Sequence, residues 1–203
     1  MNRNTVAAAL AVWALASAGC ARGRRESAVK IDSLQLAMFA PLPPAIVRPD
    51  RPITQARIEL GRMLYFDTRL SLARDLSCNS CHRLDAYGAD TGAVSRGHRG
   101  RLGTRNSPTV YNAAGHVAQF WDGRAPDVEA QAMGPILNPA EMAMPGPGAV
   151  MARLAAVPAY RNAFLAAFPG QRNPMTYDNL GVAIGAFERQ LATPSRWDRF
   201  LRG

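Results

Sequence analysis

Cys78-Asn79-Ser80-Cys81-His82 is the stretch on which the reading of this chain turns. A C-x-x-C-H run is the attachment pattern of c-type haem. Two thiols three residues apart, on one helical turn, can each add to a vinyl group of the same porphyrin, and the imidazole that follows meets the iron from the proximal face. The run therefore assigns Cys78 and Cys81 as covalent attachment points and His82 as the proximal iron ligand. One covalent haem c would then be the centre of the core. A thioredoxin-like C-x-x-C would need a βαβ context, which the surrounding sequence lacks, and gives no reason for the adjacent histidine. Structural zinc wants four closed ligands, and His82, His98 and His116 do not stand at the spacings of zinc fingers.

Working outward, Thr54 can cap a helix on which Ala56, Leu60, Met63 and Leu64 form one apolar stripe ending near Asp67. The short haem-binding helix follows. From Gly88 to about Ser107 no helical or strand period is visible, and loops of that length in compact domains are usually functional. Prolines near the first turn mark helices over Pro126–Met133, Pro147–Ala156 and Pro158–Phe168. From Thr176 to Thr193, Leu180, Ala183, Ile184, Phe187 and Leu191 make an apolar face, and Gly181 and Gly185 allow another backbone to come close, until Pro194 stops the helix. No stretch alternates convincingly at period two. The pattern predicts an all-α fold, a cytochrome c-like haem domain with long irregular loops.

The chain has 203 residues, 48% of them hydrophobic, enough for one ordinary domain with appendages. Residues 1–20 read as an export signal: Arg3 precedes an apolar stretch from Val6 to Ala18, too short to span a bilayer comfortably, which ends in small residues. Ala16-Ser17-Ala18 fits a cleavage site, and Ser17-Ala18-Gly19-Cys20 also resembles an imperfect lipobox, so the membrane enters only through lipidation of Cys20. A periplasm-like compartment is where c-type haem attachment is expected. Residues 21–50, charged and then Pro-rich, read as a tether, and 51–203 as the haem domain.

The net charge of +9 comes almost wholly from arginine. It suits an acidic redox partner or an anionic membrane surface; nucleic acid does not fit an exported chain. Arg96, Arg99, Arg101 and Arg105 crowd the glycine-rich loop, where some could pair with haem propionates.

Further motifs carry a resemblance. Arg105-Asn106-Ser107-Pro108-Thr109, Gln119-Phe120-Trp121-Asp122-Gly123-Arg124-Ala125, Glu129, Pro135-Ile136-Leu137-Asn138-Pro139 and Glu141-Met142 occur in order. With the haem motif, they resemble the amino-terminal, peroxidatic haem domain of bacterial dihaem cytochrome c peroxidases, whose relatives include the methylamine-utilisation type dihaem oxidases. The resemblance covers roughly residues 50 to 203. It implies reduction of hydrogen peroxide to water, with electrons from a small cytochrome c or cupredoxin. It also implies that His98 is a distal iron ligand in the resting oxidised state, that Gln119 and Glu129 are the distal glutamine and catalytic glutamate, and that Asn106 helps hold a calcium ion at the junction of two haem domains. The chemistry is sound on its own terms. A carboxylate above an open haem face can move the proton that peroxide cleavage requires, and an amide can hold the bound peroxide. Glu129 near a helix N-terminus is also favoured by the helix dipole alone.

No second C-x-x-C-H occurs, so the family's second haem domain, with the other calcium ligands, is expected to be absent from this chain or supplied in trans. The functional alternatives are a peroxidase, a monohaem bis-histidine electron carrier, and an inactive fragment of a dihaem peroxidase. Gln119 and Glu129 favour the first, since a carrier needs neither.

Overall fold

The computed structural model describes residues 31–203. The expected export signal, Cys20 and the first part of the tether lie outside them. Ala40–Gly203 form one compact unit; before it, the described residues hold a single helical turn at Ser33–Leu36.

Helix α1, Gln55–Tyr65, starts where Thr54, in extended conformation, accepts a hydrogen bond from the Arg57 N–H. It buries Leu60, Gly61, Leu64 and Tyr65. Met63, placed on the apolar stripe by the sequence pattern, is exposed, and Tyr65 takes the inward position instead. Helix α2 is the haem-motif turn, Cys78–Cys81. Helix α3 spans Val128–Leu137. Its first turn is set by Asp127, whose carboxylate accepts from the Ala130 N–H, so it begins two residues later than Pro126 would dictate. It also continues through Pro135 to Leu137, beyond the expected end at Met133.

Helices α4, Pro147–Ala155, and α5, Pro158–Ala167, form a hairpin that begins each arm on a proline, as expected. Helix α6, Tyr177–Glu188, is capped by Thr176 and stops at Glu188, short of the predicted Thr193. A seventh helix, α7, Arg196–Arg202, was not expected; Ser195 and Asp198 close its first turn reciprocally. Among the described residues there is no strand, only isolated bridges such as Arg83 with Ala89, Arg96 with Leu102 and Gln119 with Ala125 that close loops.

The core sits around α6. Helix α1 crosses it so closely that a Cβ on Gly61 would stand 1.9 Å from the Ala183 carbonyl oxygen. Helix α3 packs on the other side, over Gly181 and Gly185. Leu60, Leu64, Leu70, Ile136, Val150, Leu154, Phe164, Leu180 and Ile184 are fully buried together; burial of each such side chain is worth roughly 1.5–3 kcal/mol. A smaller cluster of Tyr65, Val110 and Phe187, with Cys78 and Leu84 against it, joins this core to the haem motif.

Residues 40–50 are not a free tether. The Leu42 N–H donates to Asp198, the Ile46 N–H donates to Arg189 O while the Arg189 guanidinium donates to Ile46 O, and Arg48 pairs with Asp127. Proline-rich composition suggested a linker because these partners all lie far away in sequence.

Candidate haem cavity

The motif turn α2 is held by short-range bonds: the Ser77 N–H donates to Ser80 Oγ at 3.0 Å, the His82 N–H to Cys78 O at 2.9 Å, and the Leu84 N–H to Asn79 Oδ1 at 3.1 Å. Cys78 and Cys81 are free thiols. Burial, reinforced by nearby Glu188, pushes Cys78 up to about 12, and burial also raises Cys81 against a hydrogen bond from Ser95. Redox-active cysteines have depressed pKa values, so the thioredoxin reading fails on chemistry as well as context. Among the described residues no three His, Cys, Asp or Glu side chains are grouped to hold a metal ion.

His82 Nδ1 lies 2.9 Å from the Pro108 carbonyl oxygen. A carbonyl only accepts, so Nδ1 carries the proton and Nε2 keeps its lone pair, the arrangement that a metal-binding histidine needs. Burial lowers the pKa of His82 and keeps it neutral, with the bonds to Pro108 and Gly88 opposing. The backbone is fixed from behind, where the buried Tyr65 hydroxyl donates to His82 O at 2.6 Å. Pro108 is itself positioned by a zipper to the segment after the motif: Thr109 Oγ1 donates to Tyr87 O, the Val110 N–H to Gly88 O, and the Tyr111 hydroxyl to Leu84 O. Gly88, at φ 67°, has Val110 and Tyr111 where a Cβ would go.

Cys78, Cys81 and His82 open on one cavity of about 310 Å³, within the size range of small-molecule and cofactor sites. Its apolar walls include Val110, Val128, Ala132, Pro135 and Met142; its polar groups include Gln119, Gln131, Asn106, Arg105, Arg124, Glu141 and Glu188.

The other predicted residues fall unevenly around it. Gln119 is buried and lines the cavity; its amide nitrogen donates to Ala113 O at 2.8 Å, which leaves Oε1 as an acceptor. Glu129 is buried one residue beyond the cavity-lining Val128, but its carboxylate is held by Arg189 and is not part of the wall. Gly97 lines the cavity and His98 does not. The His98 N–H is tied to Glu141 O, Arg99 turns through φ 54°, and a Cβ on Gly97 would stand 1.9 Å from Ala140 O, so this loop is clamped against the 140–141 turn. His98 Nδ1 is nonetheless buried without a hydrogen-bond partner. Asn106 spends its amide on Gly92 O. Arg105, from the arginine cluster, lines the cavity and shares Asp122 with Arg124. Arg96 and Arg99 are exposed, as is His116.

The model of the family described as di-haem cytochrome c peroxidase matches residues 55–203. The chain belongs to this family. Cytochrome c551 peroxidase of Pseudomonas aeruginosa is 46% identical over 169 residues, covering 82% of this chain and 49% of that protein. Cytochrome c551 peroxidase of Nitrosomonas europaea is 41% identical, covering 89% and 56%. The methylamine utilization protein MauG of Paracoccus denitrificans is 38% identical, covering 84% and 52%. Among solved structures, a MauG-like protein associated with microbial copper homeostasis superposes with a TM-score of 0.72 at 33% identity, covering 80% of this chain and 48% of that one. The chain thus spans about half the length of the curated relatives it matches.

A covalently held haem fits the residues of this family member. Both thiols face one cavity with raised pKa values, His82 holds the tautomer that leaves Nε2 free, and a second imidazole nitrogen, on His98 next to the cavity-lining Gly97, is buried without a partner. Two charged residues here escaped the sequence reading, Glu188 and Arg189. Glu188 follows Leu180 and Ile184 at intervals of four, so an acid on the apolar stripe of α6 was the available signal. Arg189 carried none, because its partner lies 60 residues away.

Proposed function

We propose that this chain is a peroxidatic haem domain that reduces hydrogen peroxide to water. The observation that carries the reading is the tautomer-locked His82 opening, with Cys78 and Cys81, on a cavity that also presents Gln119 and two buried or half-buried acids, Glu188 and Glu141. Cys78 and Cys81 would hold one haem covalently, and His82 would ligate its iron. The haem, when bound, supplies the electrons that cleave the O–O bond.

The chain's own residues bind and move protons. Gln119 Oε1 accepts a hydrogen bond from peroxide. Glu129 takes up the proton released on binding and returns it to the departing oxygen, which requires its Arg189 pair to open or a relay through the cavity wall. His98 would be the second protein ligand of the oxidised haem, in keeping with its orphaned Nδ1. Arg105 and Arg124 are the cavity-lining cations that suit haem propionates. Asn106 contributes to a calcium site only together with ligands from a second haem domain.

The electron donor is a small periplasmic cytochrome c or cupredoxin, with the family's second haem domain in trans as the relay. Export to the periplasm, with or without Cys20 lipidation, belongs to the same reading. A monohaem electron carrier is favoured by one observation, the occupation of the Glu129 carboxylate by Arg189.

Protein co-expressed with periplasmic maturation machinery should give one haem per chain by pyridine haemochrome analysis, retained in a denaturing gel. Covalent haem that survives a Cys78→Ala, Cys81→Ala double substitution would sink the assignment.

A further inference from the structure

Helix α6 ends on an acid that faces inward. Glu188 is 5% exposed and lines the haem cavity. Around it stand Glu129 from α3, Arg189 next in the chain, Tyr65 from α1 and Cys78 from α2. None of them neutralises it. The Arg189 guanidinium is already bound by both oxygens of Glu129, and the Tyr65 hydroxyl is committed to His82 O. No hydrogen bond among the described residues ends on the Glu188 carboxyl. Alone in the cavity a buried carboxyl in that position favours its proton over its charge, and the net positive charge of a ferric haem beside it would let it ionise before reduction. Burial first, and then the charge of Glu129, push it up to about 8, against Arg189.

A group so placed answers to any change of charge in the cavity. We propose that Glu188 is the proton-loading group of the haem cavity: an electron delivered to the haem by a small redox protein is accompanied by one solvent proton bound at the Glu188 carboxylate. The inference rests on the reading that a haem fills this cavity. The step balances as ferric iron, one electron, one carboxylate and one proton giving ferrous iron and one carboxylic acid. Reduction of hydrogen peroxide to two waters consumes two electrons and two protons, so a proton stored here is one that the reaction uses. Glu188 therefore couples electron arrival to proton supply, beside the ion pair that Glu129 and Arg189 make with each other.

The test is potentiometric, on haem-loaded wild type and Glu188→Gln, from pH 5 to 10, with loading checked by pyridine haemochrome. In the wild type the midpoint potential should fall with rising pH across the Glu188 titration, by up to about 59 mV for each tenfold drop in proton activity in a one-electron couple. Glu188→Gln should lose that slope and keep only what the propionates and Glu141 contribute. Equal slopes in the two proteins would overturn the proposal. Should Glu188→Gln fail to mature, reduced-minus-oxidised infrared spectra of the wild type decide: a protonated-carboxyl band gained on reduction supports it, and none refutes it. Wild type that carries no covalent haem overturns both this inference and the haem reading, whereas haem with a flat midpoint overturns this inference alone.

Discussion

Arg189 grips Glu129 with two parallel hydrogen bonds of 2.9 and 2.8 Å, and the two side chains are 2% and 3% exposed. A fully buried bidentate pair is costly to break on one side, because the remaining charge has neither water nor partner. Arg189→Met should therefore destabilise the haem-loaded protein by roughly 3–5 kcal/mol. Arg189→Met combined with Glu129→Gln should cost clearly less than Arg189→Met alone. Urea unfolding followed by circular dichroism checks both, and additive losses in the cycle would show that the pair is not coupled.

Two glycines should respond unequally to alanine. A Cβ on Gly61 meets the Ala183 backbone at 1.9 Å, whereas a Cβ on Gly185 meets the Glu129 side chain at 2.6 Å. Backbone cannot yield without moving a helix; a side chain can rotate. Gly185→Ala should cost about 1–3 kcal/mol, and Gly61→Ala more. Gly185→Ala should also loosen the Glu129–Arg189 pair, so its cost should shrink in a Glu129→Gln background. Thermal melts of wild type and the four variants give the order, and the reverse order would contradict the packing.

What was legible in the sequence was what depends on near neighbours. Thr54 and Thr176 cap their helices, the cysteine pair and His82 form one turn, and the glycines of α6 admit another helix. That other helix proved to carry Glu129 itself. Less was legible where two local signals competed: Pro126 pointed to a helix start, but Asp127 offers a side-chain acceptor and wins. The α7 capping box, Ser195 with Asp198, stands in the sequence directly after Pro194, whose terminating signal masks it. Arg189 and the anchoring of residues 40–50 were illegible, because both depend on partners brought together only by the fold.

Stability should fall as pH rises from about 5 to 8. The folded carboxyl of Glu188, pushed up to about 8, still holds a proton that the unfolded chain has lost above the ordinary value of 4.5. Between those values the folded state binds more protons, so the stabilisation present below the lower pKa is lost as pH passes the upper one. Asp122 and Asp198, held near about 2 by their hydrogen bonds, act in the opposite sense and only at more acid pH, so they do not mask the effect. Urea midpoints of the wild type with its haem reduced should decline over this window and those of Glu188→Gln should stay flatter. Parallel curves would mean that Glu188 is charged in the folded protein at pH 7.

The source of activity is separable with three substitutions. If His98 ligates the oxidised iron, the wild type is six-coordinate and low-spin, since imidazole on both faces gives a strong ligand field, and His98→Gly should give high-spin signals. A high-spin wild type would mean that the clamped loop from Gly97 to Arg101 does not supply a ligand. With the site open, His98→Gly should react with peroxide faster than wild type in stopped-flow mixing. Adding Glu129→Gln keeps side-chain size but removes the proton carrier, and general acid–base catalysis is typically worth 10²–10⁴-fold, so the rate should fall by about 10²-fold or more. Because the Glu129 carboxylate is closed off by Arg189 and the Glu188 carboxyl lines the cavity, Glu188→Gln in the same background distinguishes the route. A loss with Glu129→Gln alone means that the ion pair opens during reaction, and a loss with either change means that the proton passes from one acid to the other. Equal rates in all three proteins would remove both acids from the chemistry and leave electron transfer as the better description of this haem domain.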